Sequence, residues 1–155
     1  MARVYLETSF FSACVGERRD ARSVYSRHQS RQWWVHQRTA YDIFISSEVL
    51  RELSSPRFRN REEALALARD AGLLAVNDDV LGLAKVLVRE KAMPGPEESG
   101  DAVHLAAAVV HGMDFLLTWN QRHLANPNKL PHLRDVCLRA GFVTPALTTP
   151  DALWR

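Results

Sequence analysis

The sequence predicts an α/β protein: a three-layer α/β/α domain built on a central parallel sheet of about five short strands. Short β-prone runs (RVYL, DIFI, LLAV, FLLT) alternate with longer helix-prone stretches, which is the pattern of a parallel sheet covered on both faces. The chain has 155 residues, with neither an internal repeat nor a linker, so residues 1–155 read as one domain. Hydrophobic residues make up 46% and charged residues 25%, the balance of a globular chain with a real core.

The elements follow in order. RVYL, residues 3–6, is the first strand, and it stops at Glu7-Thr8-Ser9. Thr8 or Ser9 is placed to cap a helix through FFSAC. Residues 20–40 read as one long helix, and 42–45 as the second strand. Ser46 or Ser47 caps the helix EVLREL, which ends near SSP. Asn60 is the expected cap of REEALALARDAG, with Gly72 closing it. LLAV is the third strand, and Asn77 or Asp78 starts a helix through VLGLAKVLVREKA. The prolines and glycines of MPGPEESG mark a loop. A helix over 101–111 ends at Gly112, and a fourth strand covers 115–118. A helix over 128–140 stops at Gly141, and residues 142–148 are a fifth short strand.

Composition excludes several classes. The N-terminus enters a strand at once and lacks signal-peptide features, and no apolar run is long enough to span a membrane. The expected location is the cytoplasm. Cys14 and Cys137 stand far apart, outside any metal-ligand or redox spacing, and read as small buried residues. Basic residues comprise 17 Arg and 3 Lys at a net charge of only +2. Six of the arginines lie in residues 17–40, just ahead of or around Trp33 and Trp34. That segment is either a solvated helix face with the Trp pair packed inward or an edge that meets phosphate.

In a parallel α/β sheet, ligands bind outside the carboxyl ends of the strands. Polar groups gather there. Glu7 follows strand one, Glu48 and Glu52 lie in the helix after strand two, Asp101 opens a helix, and Asn120 follows strand four. Glu48, beside the capping serines, is explained by the helix terminus; Glu52 is the better site residue. Carboxylates crowded into one crevice repel unless a cation lies among them, and oxygen ligands suit Mg²⁺ or Mn²⁺. A metal-dependent phosphodiesterase follows. Thr8, Ser9 and Thr118 are caps or supporting hydroxyls. Asp114, after Gly112, is a turn former or a supporting acid. His104 shares a helix face with Asp101 and reads as a helix histidine satisfied by its neighbours.

These blocks resemble the PIN-domain ribonucleases, and in particular the VapC-like toxins of bacterial toxin–antitoxin modules. VYLETS resembles the family's opening strand and acid, ISSEVLREL its second block with the acid at Glu52, DAVHLAAA its third with Asp101, and GMDFLLTWN its fourth, ending at Asn120. Two positions depart from the common pattern: Glu7 where Asp is usual, and Asn120 where many members carry Asp. The resemblance implies a PIN-like domain over 1–155. It implies a catalytic set of Glu7, Glu52, Asp101 and Asn120, with Glu7, Glu52 and Asp101 holding Mg²⁺ or Mn²⁺. It implies cleavage of single-stranded RNA by metal-activated water, leaving a 5′-phosphate and a 3′-hydroxyl. It further implies a homodimer neutralised by a cognate antitoxin peptide. The alternative is a PIN-fold module whose Glu7 and Asn120 weaken the chemistry and which binds RNA or a protein. A phosphatase of the DxD kind is a poor fit, because Glu7-Thr8-Ser9 follows strand one. No Gly-rich phosphate loop follows any strand.

Overall fold

A computed structural model describes residues 1–155. Five strands form one parallel sheet in the order β3-β2-β1-β4-β5. They are β1 (Arg3–Leu6), β2 (Asp42–Ser46), β3 (Gly72–Leu74), β4 (Phe115–Leu117) and β5 (Ala146–Thr148). Seven helices connect them: α1 (Thr8–Val15), α2 (Ala21–His36), α3 (Ser47–Leu53), α4 (Arg61–Ala68), α5 (Asp78–Arg89), α6 (Asp101–Val110) and α7 (Leu130–Arg139). α1 packs on α2 and α4, while α5 packs on α6 and α7, giving the two helical layers. The predicted three-layer α/β/α class is the observed one.

The chain builds outward from β1 to β2 and β3, then returns to place β4 and β5 on the other side. The winding therefore reverses between β1 and β4, and a parallel sheet opens a crevice at that point, beyond its carboxyl edge. β1 is covered beyond its first residue: Val4, Tyr5 and Leu6 have no exposure at all. The residues that leave β1 and β4 at this edge are Glu7 and Thr118.

Several boundaries differ from expectation for local reasons. The cap of α1 is Glu7, whose carboxylate accepts from the Ser9 amide at 3.1 Å. α2 ends at His36, and residues Arg38–Ala40 wind as a separate 3-10 turn. Asn60 precedes α4 in the left-handed region (φ 58°), and its side chain donates to Val15 O at 2.9 Å instead of capping. Gly72 is not a helix stop. It opens β3, where a Cβ would come within 2.8 Å of the Phe44 ring. Trp33 and Trp34 pack inward on Phe10, and the Trp33 indole N–H donates to Leu153 O at 2.9 Å. No helix is long and apolar enough to cross a membrane.

Candidate active site

The groups at the carboxyl edge fall into two hydrogen-bonded sets, one around Glu7 and one around Glu52 and His104, which face each other across 4.0 Å. Glu7 is buried just past β1, and its Oε1 accepts from the hydroxyls of Ser9 and Thr118, both at 2.6 Å. With the Ser9 amide on Oε2, three donors fix this carboxylate. The extra methylene relative to Asp is what lets the side chain fold back over the first turn of α1.

Glu52, in the last turn of α3, meets Glu7 from the β2 side. Its Oε1 accepts from the Thr8 hydroxyl at 2.7 Å and is hydrogen-bonded by His104 Nε2. His104 Nε2 also stands 4.0 Å from Glu7 Oε2. The ring is buried one turn into α6, and its Nδ1 shares a hydrogen bond with the Tyr5 hydroxyl at 2.7 Å, which in turn meets Ser46 Oγ at 2.7 Å. A ligand atom from each of Glu7, Glu52 and His104 falls within 4.8 Å of the others.

The electrostatics follow from this geometry. Burial works against a charged His104, but the Glu52 hydrogen bond and the charges of Glu7, Glu52 and Glu48 overcome it, and the imidazole pKa is raised. Burial likewise acts to raise the Glu52 pKa, yet the hydrogen bond and charge of His104, with the Thr8 hydroxyl, hold it below the ordinary carboxylate range. Burial pushes the Tyr5 hydroxyl well up. The imidazole thus stands between two carboxylates, whose negative charge favours its protonated form.

Asp101 stands outside the tight group. Its Oδ1 accepts from Asn120 Nδ2 at 3.1 Å. Asn120 connects it to Glu7, because the Asn120 amide donates to Thr118 Oγ1 at 2.9 Å and Thr118 donates to Glu7. The Asn120 Oδ1 is engaged by the His123 amide at 3.0 Å, so this side chain orients Asp101 and caps the following turn. Asp114 is not brought to the crevice. It lies at the opposite end of β4, accepting from the Arg3 amide at 2.8 Å. Glu48 is buried and does terminus work, but for another helix: it accepts from the Gly100 amide ahead of α6 and pairs with Arg51.

Known structures share this architecture. VapC20 of Mycobacterium tuberculosis, described as a sarcin-ricin loop cleaving toxin, superposes with a TM-score of 0.57 at 21% identity, covering 90% of this chain and 96% of that one. The fold is that of VapC. VapBC of Salmonella typhimurium, bound to DNA, gives 0.56 at 16% identity over 97% of this chain and 99% of that one. VapBC2 of Rickettsia felis, bound to a promoter DNA fragment, gives 0.54 at 14% over 99% of both. At these identities the likeness to VapC is one of fold. No protein-family model matches the sequence, and no curated protein matches it.

Two members of the network escape a reading of the sequence. Tyr5 sits in the middle of an apolar strand, and Ser46 reads as a helix cap. The one visible signal was His104, three residues after Asp101 on the same helix face.

Proposed function

We propose that this protein is a divalent-metal-dependent endoribonuclease of the VapC kind, acting on single-stranded RNA. The observation that carries the reading is the meeting of Glu7 and Glu52, with Asp101 tied to Glu7 through Asn120 and Thr118, at the switch point of a VapC fold. The donor set fits the ion: carboxylate oxygens suit Mg²⁺ or Mn²⁺, and the His104 nitrogens are already committed to Tyr5 and Glu52. Glu7, Glu52 and Asp101 would hold the metal, with Glu7 and Glu52 the two carboxylates already close together. A bound ion supplies charge neutralisation at the phosphate and a more acidic water.

The chain's own residues do the positioning. Ser9 and Thr118 fix the Glu7 carboxylate, Thr8 and His104 fix Glu52, and Asn120 fixes Asp101. Such preorganisation keeps reactive groups from wandering when charge develops. Thr118 and Ser9 are therefore supporting residues in this reading, and Asn120 is a positioning residue.

The likeness to VapBC assemblies supports a cognate antitoxin as partner; the working form we propose is a homodimer. A second reading also has an observation behind it. The Asn120 oxygen is spent on His123, so the fourth position contributes neither charge nor a free oxygen, as a weakened, binding-only module would have it. One assay separates the two. Antitoxin-free protein is incubated with end-labelled RNA in Mn²⁺ or in EDTA. Discrete products in Mn²⁺ alone support the nuclease. RNA retained but uncut in both supports the binding module.

A further inference from the structure

A groove of about 310 Å³ opens beside the acidic cluster, between α1 and the start of α2. Ser9, Arg18, Arg27 and Trp119 are among its walls, and no acid lines it. A second groove meets the cluster at Thr8 and Glu52, lined also by Arg51 and Arg57. There Arg51 is already bound to buried Glu48 through Nε at 2.5 Å and Nη2 at 2.9 Å, and Glu52 adds negative charge. The first groove is thus the more electropositive of the two.

It is also the better organised. Arg27 is anchored by Nη1 to Gly16 O at 3.0 Å and Arg18 O at 3.1 Å, which leaves the rest of its planar fork for an anion. Arg18 projects into solvent and touches only Asp20, at 3.4 Å, an exposed pair that exchanges readily. The Trp119 indole is held by its N–H on Ser30 Oγ at 2.7 Å and edge-on by Tyr25. Ser9 joins the groove to the cluster: its Oγ accepts from the Trp119 amide at 2.8 Å and donates to Glu7 at 2.6 Å.

A guanidinium fork matches phosphate oxygens, and an indole face takes a base by stacking. We infer that this groove binds the nucleotide next to the scissile phosphodiester of a single-stranded RNA, with Arg18 and Arg27 on its phosphate and Trp119 against its base. The assignment rests on the nuclease reading of the acidic cluster.

The test uses a short fluorescein-labelled single-stranded RNA. Its Kd is measured by anisotropy in EDTA, across a salt series, for the full chain and for Arg18→Glu, Arg27→Gln and Arg57→Glu. Arg18→Glu and Arg27→Gln are expected to weaken binding roughly 10-fold and to lower the salt slope by about 1 each, with Arg57→Glu within about 2-fold of the parent. With Mn²⁺ present, both groove variants raise KM and leave kcat unchanged. Arg27 also braces the loop before α2, so circular dichroism checks its fold, and the outward Arg18→Glu carries the test if it fails. Parental affinity in both variants, from a protein that still cleaves RNA, overturns the groove and leaves the nuclease standing. Equal losses in all three variants also overturn it. A parent that binds RNA through Arg18 yet never cleaves keeps the groove and sinks the nuclease reading alone.

Discussion

His104 and Glu52 come from helices a third of the chain apart and share a hydrogen bond between Nε2 and Oε1, while Tyr5 holds the other ring nitrogen at 2.7 Å. The imidazole is therefore the keystone of the network. It bridges Tyr5 and Glu52, which share no direct bond.

Replacing His104 with Ala takes one partner from the Tyr5 hydroxyl and one from Glu52, which keep Ser46 and Thr8, and opens a void beside α6. The lost hydrogen bonds, together with the cavity, make this a loss of about 3 kcal/mol. For a domain of this size the melting temperature should fall by about 6–12 °C. Thermal unfolding followed by circular dichroism reads it directly. An unchanged melting temperature would show that the network contributes nothing.

The methylene that distinguishes Glu7 from Asp has a defined use: it carries the carboxylate onto Ser9 and Thr118 together. Glu7→Asp keeps the charge but withdraws it from one or both hydroxyls. Misplacement of a reacting group by about 1 Å costs on the order of 10²-fold in rate. Initial cleavage rates at saturating Mn²⁺ should show a loss of that order, even though Asp is the commoner residue in similar nucleases.

At the sheet edge, Gly72→Ala places a methyl 2.8 Å from the Phe44 ring. The ring is flanked by Arg3, whose guanidinium lies 4.9 Å from its centroid, so it cannot swing freely. The overpacking should cost about 1–3 kcal/mol, read as a lower urea midpoint at an unchanged slope.

Burial pushes the Cys14 thiol up to about 12, against the pull of nearby Arg31. The folded chain therefore keeps a proton that the unfolded chain releases near its ordinary value, and stability attributable to this thiol declines as pH rises from about 9 toward about 12. At pH 8 the native thiol should resist iodoacetamide and react only as denaturant unfolds the chain. Rapid alkylation of the native protein would contradict the burial.

Much of this could be read from the residues. The alternation of short strands and helices carries the α/β class, because a parallel sheet leaves its helices between its strands. Glu7, Thr118 and Asn120 are recognisable because each closely follows a strand, and Glu52 because it lies in the helix that follows β2. What stays hidden is pairing at a distance. Nothing near Tyr5 reveals that its hydroxyl meets a histidine 99 residues away. Nothing near Glu48 reveals that it stops the backbone at Gly100. Asp114 precedes β4 and so belongs to the edge away from the crevice, where its turn role is joined by a bond from the Arg3 amide that the sequence does not reveal. Asn60 and Gly72 mislead because each has a stronger tertiary partner, Val15 O and the Phe44 ring, than its local role.

The central claim is that the carboxylates at the carboxyl edge cut RNA with a divalent ion. The most direct measurement is the rate of Mn²⁺-dependent cleavage of labelled RNA by the parent chain, Glu52→Gln and Asp101→Asn, prepared in parallel and shown to be folded. The parent should cleave, and the two variants should be slower by at least about 10²-fold, since each loses a group the chemistry needs in place. Variants that cleave as fast as the parent would place the chemistry elsewhere and contradict the account.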